Sequence, residues 1–338
     1  MSNKLAVIIP FFQREPGILA RALGSIQQQK IPDGWFVEVI VVDDGSPSPA
    51  DREIGNLTFD RPLKLTLIKQ ENRGIAAARN RALDEADKDT ALIAFLDSDD
   101  KWPSTHLEHA IRGLTAGYDF FFTDCHRVGH YKSYLREWAG ETGRSIALAE
   151  KRDGFIIMPP DDFIGLMSKE FPAQTSTVVY NRRIAPDLRF DTRLDAAAED
   201  LLFLCTLVAT AGSVVFDPVN RTKCGKGLNV YYSNLSQDNP KRLAIFIDQL
   251  VARTLISKTI TLSAKSRRQN DTSIKYFRRQ LAFHIVKALV KFPNRVPKAV
   301  IELVKKDAVA AMLLPLGFLE GGFRLLSRYY LQMSNASD

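Results

Sequence analysis

The run Ala91 to Leu96 is apolar, and Asp97-Ser98-Asp99-Asp100 follows it at once. That arrangement constrains the chain more than any other. A buried carboxylate is costly unless it is paired, hydrogen-bonded or bound to a metal. A strand that stops this way delivers negative charge to the rim of a core. In an open α/β sheet, the carboxyl ends of the strands are where ligands sit. Trp102 and Pro103 come next, and Pro103 is placed as the first residue of a helix running through Leu114. Asp97 and Asp99 form an Asp-x-Asp pair of hard oxygen donors, suited to Mn²⁺ or Mg²⁺ held against a diphosphate. The competing reading is a polar turn that caps the helix.

The surrounding pattern supplies the sheet. Leu5 to Pro10 is a short, continuous apolar run rich in β-branched residues, as expected of a strand buried on both faces; Phe36 to Val42 reads as a second buried strand and Leu63 to Ile68 as a third strand. Pro16 to Gln29 and the Ala-rich Ile75 to Ala86 read as helices between them. This rhythm predicts a doubly wound, mostly parallel α/β sheet. Further strands are expected at Tyr118 to Thr123, Ser176 to Tyr180, Val214 to Phe216 and Leu228 to Tyr232. Helices are expected at Pro160 to Lys169 and Glu199 to Ala211. Cys125 to Arg152 shows no clear period. From Asn239 the character changes to helices at Arg242 to Leu262, Ser273 to Lys291, Pro297 to Met312 and Leu316 to Leu331. Breaks are expected at Ser266 to Thr272, Pro293 and Pro315.

Composition excludes several classes. Hydrophobic content of 45% and charged content of 25% are those of a globular protein. No uninterrupted apolar run reaches the roughly 18 residues of a spanning helix, and the first residues show no secretory pattern. Cys125, Cys205 and Cys224 are odd in number and far apart, which suits a reducing, cytoplasmic setting better than a disulfide framework or a zinc site. The net charge of +7 is uneven. From Lys241 onward there are about 18 Lys and Arg against about 6 Asp and Glu, and the preceding part is slightly acidic.

Three strand ends carry distinctive chemistry: Pro10-Phe11, Asp43-Asp44-Gly45-Ser46 and Asp97-Ser98-Asp99-Asp100. In a parallel sheet they share one edge and can converge on one ligand. Asp43 is placed to accept the ring N–H of a nucleobase. Asn72-Arg73-Gly74 opens a helix whose N-terminal amides favour an anion. For Arg79, farther along that helix, two readings stand: it faces phosphates, or it pairs with a neighbouring carboxylate.

VIIPFF, VVDDGS, NRGIAAARN, AFLDSDD and the later Ala198-Glu199-Asp200, in that order and spacing, resemble the family 2 glycosyltransferases with a GT-A fold. The resemblance covers roughly residues 4 to 235. Within the family, the opening VIIPFFQREPGILARAL looks most like bacterial exopolysaccharide enzymes of the succinoglycan type. The resemblance implies a catalytic domain over 1–238, with a nucleotide-sugar half at 1–123 and an acceptor half at 124–238, followed by a basic helical extension at 239–338. It implies inverting transfer from a nucleotide-sugar, usually a UDP-sugar, to an acceptor hydroxyl. Carried over by position, Pro10 and Phe11 would line the nucleoside pocket and Asp43 would bind the uracil. Asp97 would contact ribose or metal, Asp99 would ligate the metal, and Asp200 would be the general base. The chemistry is coherent: a metal stabilises the departing diphosphate, and a carboxylate takes the acceptor's proton. A helix start favours an ionised carboxylate at Asp200; the plainer reading is that Glu199 and Asp200 merely charge that helix start.

Trp102 could stack on an acceptor sugar beside Glu199, or pack in the core. His126 and His130 would suit a metal only on a helix, and read better as loop residues. Lys223, Gly225 and Lys226 suggest a mobile basic loop over the diphosphate, with a solvated loop as the alternative. The basic tail suits an anionic inner-leaflet surface and hence a glycan or lipid-linked glycan acceptor, or else a helical subdomain that packs on the core or forms a homodimer. A sugar-phosphate nucleotidyltransferase would open with a Gly-rich loop, which Pro10-Phe11-Phe12-Gln13 lacks. A nucleic-acid partner is not expected, because the tail has no recognition module.

Overall fold

The computed structural model describes residues 3–55, 57–60, 62–126, 149–225, 241–291, 294, 296–317 and 319. By internal contacts the chain divides into two units. The first holds Met1–Thr192 and Phe203–Leu228, and the second holds Arg193–Leu202 and Asn229–Asp338.

The first unit is built on a nine-stranded mixed sheet. Its strands are β1 Lys4–Phe11, β2 Phe36–Asp44, β3 Leu63–Gln70, β4 Leu92–Phe95, β5 Phe120–His126, β6 Lys151–Arg152, β7 Phe155–Met158, β8 Val178–Asn181 and β9 Val214–Lys223. They lie in the order β3-β2-β1-β4-β8-β5-β9-β7-β6. β3, β2, β1 and β4 are parallel, as the sequence rhythm predicts. β8 is antiparallel to β4 and β5, and β7 is antiparallel to β9. β1, β2 and β4 are buried on both faces, which is why they read as near-continuous apolar runs, whereas β3 at the sheet edge is only half-buried. One face packs Val7, Ile9, Val39 and Ala94 against Leu19, Leu23, Leu107 and Ile111. On the other, Phe95 meets Tyr180, Phe190 and Phe203 at centroid distances of 5.5 to 6.0 Å.

The helices of this unit are α1 Leu19–Gln27, α2 Asp51–Ile54, α3 Ile75–Glu85, α4 His106–Thr115 and α5 Pro160–Glu170. α1 and α4 each bury a single apolar stripe against the sheet, Leu19, Leu23 and Ile26 on one and Leu107, Ile111 and Leu114 on the other. α6 Glu199–Ala209 begins among the residues of the second unit and continues among those of the first.

The second unit is helical: α7 Arg242–Thr259, α8 Ala264–Lys291, α9 Val296–Lys306 and α10 Ala308–Met312. Its core includes Leu243, Phe246, Leu250, Val251, Leu281, Ile285 and Leu303. The break expected at Ser266 to Thr272 does not occur. Polar Asn270 is instead buried inside the helix, where its amide donates to the Arg253 carbonyl at 2.9 Å and to Ser257 Oγ at 3.1 Å. Conversely, the expected helix Pro297 to Met312 is divided at Asp307. That carboxylate caps α10 by accepting from the Val309 and Ala310 amides. The division also differs from the expected boundary at 238, because Arg193–Leu202 groups with the helices. The expected strand Leu228 to Tyr232 lies outside the described residues, as does most of the expected helix at 316–331.

Candidate active site

β1, β2 and β4 are parallel neighbours, so their carboxyl ends share one edge. Side chains stitch these ends together. The Gln13 N–H donates to Ser46 Oγ at 3.1 Å, the Ser46 hydroxyl to the Phe11 carbonyl at 3.3 Å, and Gln13 Nε2 to Ser98 Oγ at 3.3 Å. Gln13 is buried although polar. Its sequence signal was an amide two residues past a buried strand. Phe11 itself faces the core and Pro10 is buried within β1. What Phe11 gives this edge is its backbone carbonyl, not the pocket-lining ring that the sequence suggested.

The two aspartates of β2 divide their labour. Asp43 accepts the Ser46 N–H on one oxygen and the Ala50 N–H on the other, each at 2.8 Å. An ionised carboxylate has about four lone-pair sites, so Asp43 can still take a nucleobase N–H. Asp44, not singled out in the sequence, accepts the Arg73 and Gly74 amides at 2.9 Å and Gln70 Nε2 at 2.7 Å. Asn72 Nδ2 donates to the Asp44 carbonyl at 2.9 Å. The anion expected at the entrance to α3 is thus the protein's own Asp44. Gly74 turns the chain there at φ 89, a conformation costly for any residue with a Cβ.

For Arg79, the carboxylate reading is the one observed. Its guanidinium is buried, donates to Asp97 Oδ1 at 2.8 Å and lies over the Phe190 ring at 5.1 Å.

The turn after β4 is clasped from two sides. Ser176 accepts the Asp97 N–H at 2.9 Å through its hydroxyl, while its carbonyl takes Trp102 Nε1 at 2.7 Å. From β9, Lys223 exchanges two backbone hydrogen bonds with Lys101, at 2.8 and 2.9 Å. The Gly225 N–H donates to Asp100 Oδ1 at 2.8 Å. A Cβ on Gly225 would overlap the Asp99 carbonyl oxygen, so only glycine fits. Lys223 to Gly225 is therefore seated on the acidic turn; Lys226 lies outside the described residues. Burial pushes the Asp100 carboxyl up to about 8, and the neighbouring charges of Asp97 and Asp99 push it the same way.

These donors fit a divalent cation. Asp97 and Asp99 offer hard oxygens beside a third carboxyl whose ionisation is suppressed by their charge, a repulsion that a cation would relieve. One Asp97 oxygen is already committed to Arg79. Mg²⁺ is commonly held by one or two carboxylates plus phosphate oxygens, and such a site needs no third protein ligand.

Trp102 departs from the acceptor reading. It is 5% exposed and stacked on His106 at 4.5 Å between centroids, with 17° between planes. Its N–H goes to Ser176, so the ring is a core element beneath the turn. His126 ends a strand rather than lying on a helix, which removes the basis for an i, i+4 metal pair; His130 lies outside the described residues.

Glu199 and Asp200 belong to the second unit, in the first turn of α6. Glu199 is 8% exposed, and Asp200 Oδ1 accepts the Leu201 N–H at 2.7 Å. Among the described residues, one group of three carboxylates brings its oxygens within 4.8 Å of one another: Asp195, Asp248 and Glu302, all in this unit. The Lys306 ammonium lies 2.8, 2.7 and 2.8 Å from them, so that group already holds a cation of the chain's own.

A shallow groove of about 540 Å³ opens at the amino end of β4, lined by Asp84, Lys88, Arg182 and Arg189 among others. It lies at the edge of β4 opposite the acidic turn and shares none of its residues.

A mixed α/β sheet with carboxylates gathered on its parallel edge has the GT-A type fold, and solved structures share that fold. S. aureus TarS in complex with UDP-GlcNAc aligns over 97% of this chain and 92% of that one, with a TM-score of 0.60 and 17% identity. The mannosyltransferase PcManGT from Pyrobaculum calidifontis, in complex with GDP-Man and Mn²⁺, covers 94% and 80%, with a TM-score of 0.56 and 19% identity. Residues 6–164 match the family described as glycosyl transferase family 2. The succinoglycan biosynthesis protein ExoW of Rhizobium meliloti is 33% identical over 244 residues, 71% of this chain and 74% of that protein. The minor teichoic acid biosynthesis protein GgaA of Bacillus subtilis is 31% identical over 34% of this chain and 24% of its own. The chain belongs to the family 2 glycosyltransferases.

Proposed function

We propose that the enzyme carries out an inverting, metal-dependent transfer from a UDP-sugar to an acceptor hydroxyl. The observation that carries this reading is the shared edge, on which Asp43 ends β2 and the Asp97–Asp100 turn follows β4, one on either side of parallel β1. Asp43 accepts the uracil N–H with its remaining lone pairs. Asp99 and the second oxygen of Asp97 would hold Mn²⁺ or Mg²⁺, which when bound supplies Lewis-acid stabilisation of the diphosphate. Arg79 fixes Asp97 in place. Asp200 takes the proton from the acceptor hydroxyl, and its place at a helix start keeps it ionised for that task.

Release of UDP, screened across nucleotide-sugars with Mn²⁺ or Mg²⁺, tests the reading. Pyrophosphate-dependent formation of UTP would instead mark a nucleotidyltransferase. Asp200→Asn is expected to leave UDP binding intact while turnover falls by roughly 10² or more; normal turnover would remove the base assignment.

For the acceptor, the likeness to a succinoglycan biosynthesis protein supports an exopolysaccharide intermediate; its being lipid-linked and met at the cytoplasmic face of the membrane is part of the same proposal. No helix among the described residues is long and apolar enough to cross a membrane. α9 and α10 instead expose Ile301, Val304, Val309 and Met312 beside Lys298 and Lys305. An apolar row flanked by lysines is the chemistry of interfacial adsorption. Flotation with anionic vesicles checks it: protein that stays at the bottom of the gradient does not use this surface.

A further inference from the structure

The four residues ahead of the acid pair, 195–198, make a constrained turn. Ala198 has φ 64, the left-handed region that costs a residue with a Cβ about 1–2 kcal/mol, and it is buried. Such strain persists only where the surroundings over-determine it, and it concentrates at functional sites. Here the surroundings are specific. The Ala196 and Ala197 amides both donate to Asp248 Oδ2, at 2.8 and 3.3 Å. Asp248 lies on α7 and is 0% exposed. Its other oxygen accepts from Lys306 on α9 at 2.7 Å, and the same ammonium reaches Asp195 at 2.8 Å. One buried carboxylate and one lysine therefore grip the segment at three successive residues, 195, 196 and 197. Immediately afterwards the chain makes its strained turn and enters α6.

We propose that Asp248 and Lys306 are positioning residues for catalysis: their grip on residues 195–197 imposes the left-handed turn at Ala198 and so aims the Asp200 carboxylate. The inference rests on the reading of Asp200 as the base. It gives the helical unit a part in the chemistry separate from any membrane role. Neither residue touches substrate; both act through the backbone. Asp248 is suited to this because a wholly buried carboxylate is held to one geometry by its donors, and Lys306 keeps it ionised at neutral pH.

The test is a double-mutant cycle on the full chain, with UDP release and UDP affinity as separate readouts. Asp248→Asn is expected to lower kcat by roughly 10- to 100-fold, as for a displacement of about 1 Å, with the donor KM and the UDP Kd changed by less than about twofold. In an Asp200→Asn background the same change should cost almost nothing, because the group it positions is gone. Lys306→Gln should reproduce the pattern and Lys306→Arg should restore turnover; this series decides the matter if Asp248→Asn does not fold. The proposal is overturned if Asp248→Asn and Lys306→Gln leave kcat unchanged, or if their loss is as large without Asp200 as with it. Near-normal turnover of Asp200→Asn alone would instead sink the base assignment, a separate result.

Discussion

Among the described residues, two groups of three carboxylates can be compared, one in each unit. In the second unit, Asp195, Asp248 and Glu302 surround the Lys306 ammonium, and these three neighbours raise the Lys306 pKa in spite of its burial. In the first unit, Asp97, Asp99 and Asp100 sit at one strand end, and the Asp100 carboxyl is pushed up to about 8 by burial and by the charge of the other two. Arg79 donates to Asp97 Oδ1. One cluster carries its cation in the sequence and reads as structure. In the other, burial and mutual repulsion hold one carboxyl well above its usual range, and on the proposed reading an external cation relieves it. Acidic residues brought together do not by themselves mean metal: the Lys306 cluster shows that the chain can supply a cation itself.

The largest expected effect separates the two by activity. Asp99→Ala should reduce UDP release to background at any Mn²⁺ or Mg²⁺ concentration, while the unfolding midpoint in metal-free buffer changes little. Next, Lys306→Met should cost about 3 kcal/mol in denaturant unfolding, because it leaves Asp248 buried without its counter-charge. Asp100→Asn should act in the opposite sense and raise the midpoint of chelated protein. An acid whose pKa is raised on folding stabilises below its ordinary value and loses that contribution as pH rises toward about 8, so removing its charge helps at neutral pH. If Asp100→Asn destabilised the chelated protein as much as Lys306→Met, the contrast between the clusters would fail.

The smallest effect concerns histidine. Both His106 nitrogens are buried without a hydrogen bond, and burial pushes its pKa down to about 3. The unfolded chain takes up a proton near pH 6.5 that the folded one refuses, so stability falls as pH drops from about 6.5 toward 3. His106→Leu should flatten that limb by about 1 kcal/mol per pH unit, measured by unfolding at stepped pH. His284, stacked on Phe246 at 4.8 Å and likewise shifted down to about 3 by burial, would supply the slope that remains.

Much of the fold was legible because its strongest signals are local. The runs at Leu5, Phe36 and Ala91 read as doubly covered strands, and aspartates at the ends of two of them point to a ligand edge. The likeness among VVDDGS, NRGIAAARN and AFLDSDD added the family, which the later match to ExoW bears out. What stayed illegible depends on partners distant in sequence. Nothing near Trp102 says that Ser176, 74 residues away, takes its N–H. Nothing near Ser266 says that Asn270 would find the Arg253 carbonyl and keep α8 unbroken. The sequence weighed Arg79 evenly between a phosphate and a carboxylate, and only the position of Asp97 beside it selected the second.

By itself the sequence determined which residues would be strands, where carboxylates would gather at a strand end, and to which family the chain belongs, because burial periodicity and motif order are properties of neighbours along the chain. Tertiary structure alone decided which charges meet. It assigned Asp44 rather than a ligand to the entrance of α3, seated Gly225 on the acidic turn, and placed Lys306 among Asp195, Asp248 and Glu302. Charge pairing acts over a few ångströms of space whatever the separation in sequence, and so it is fixed only once the chain has folded.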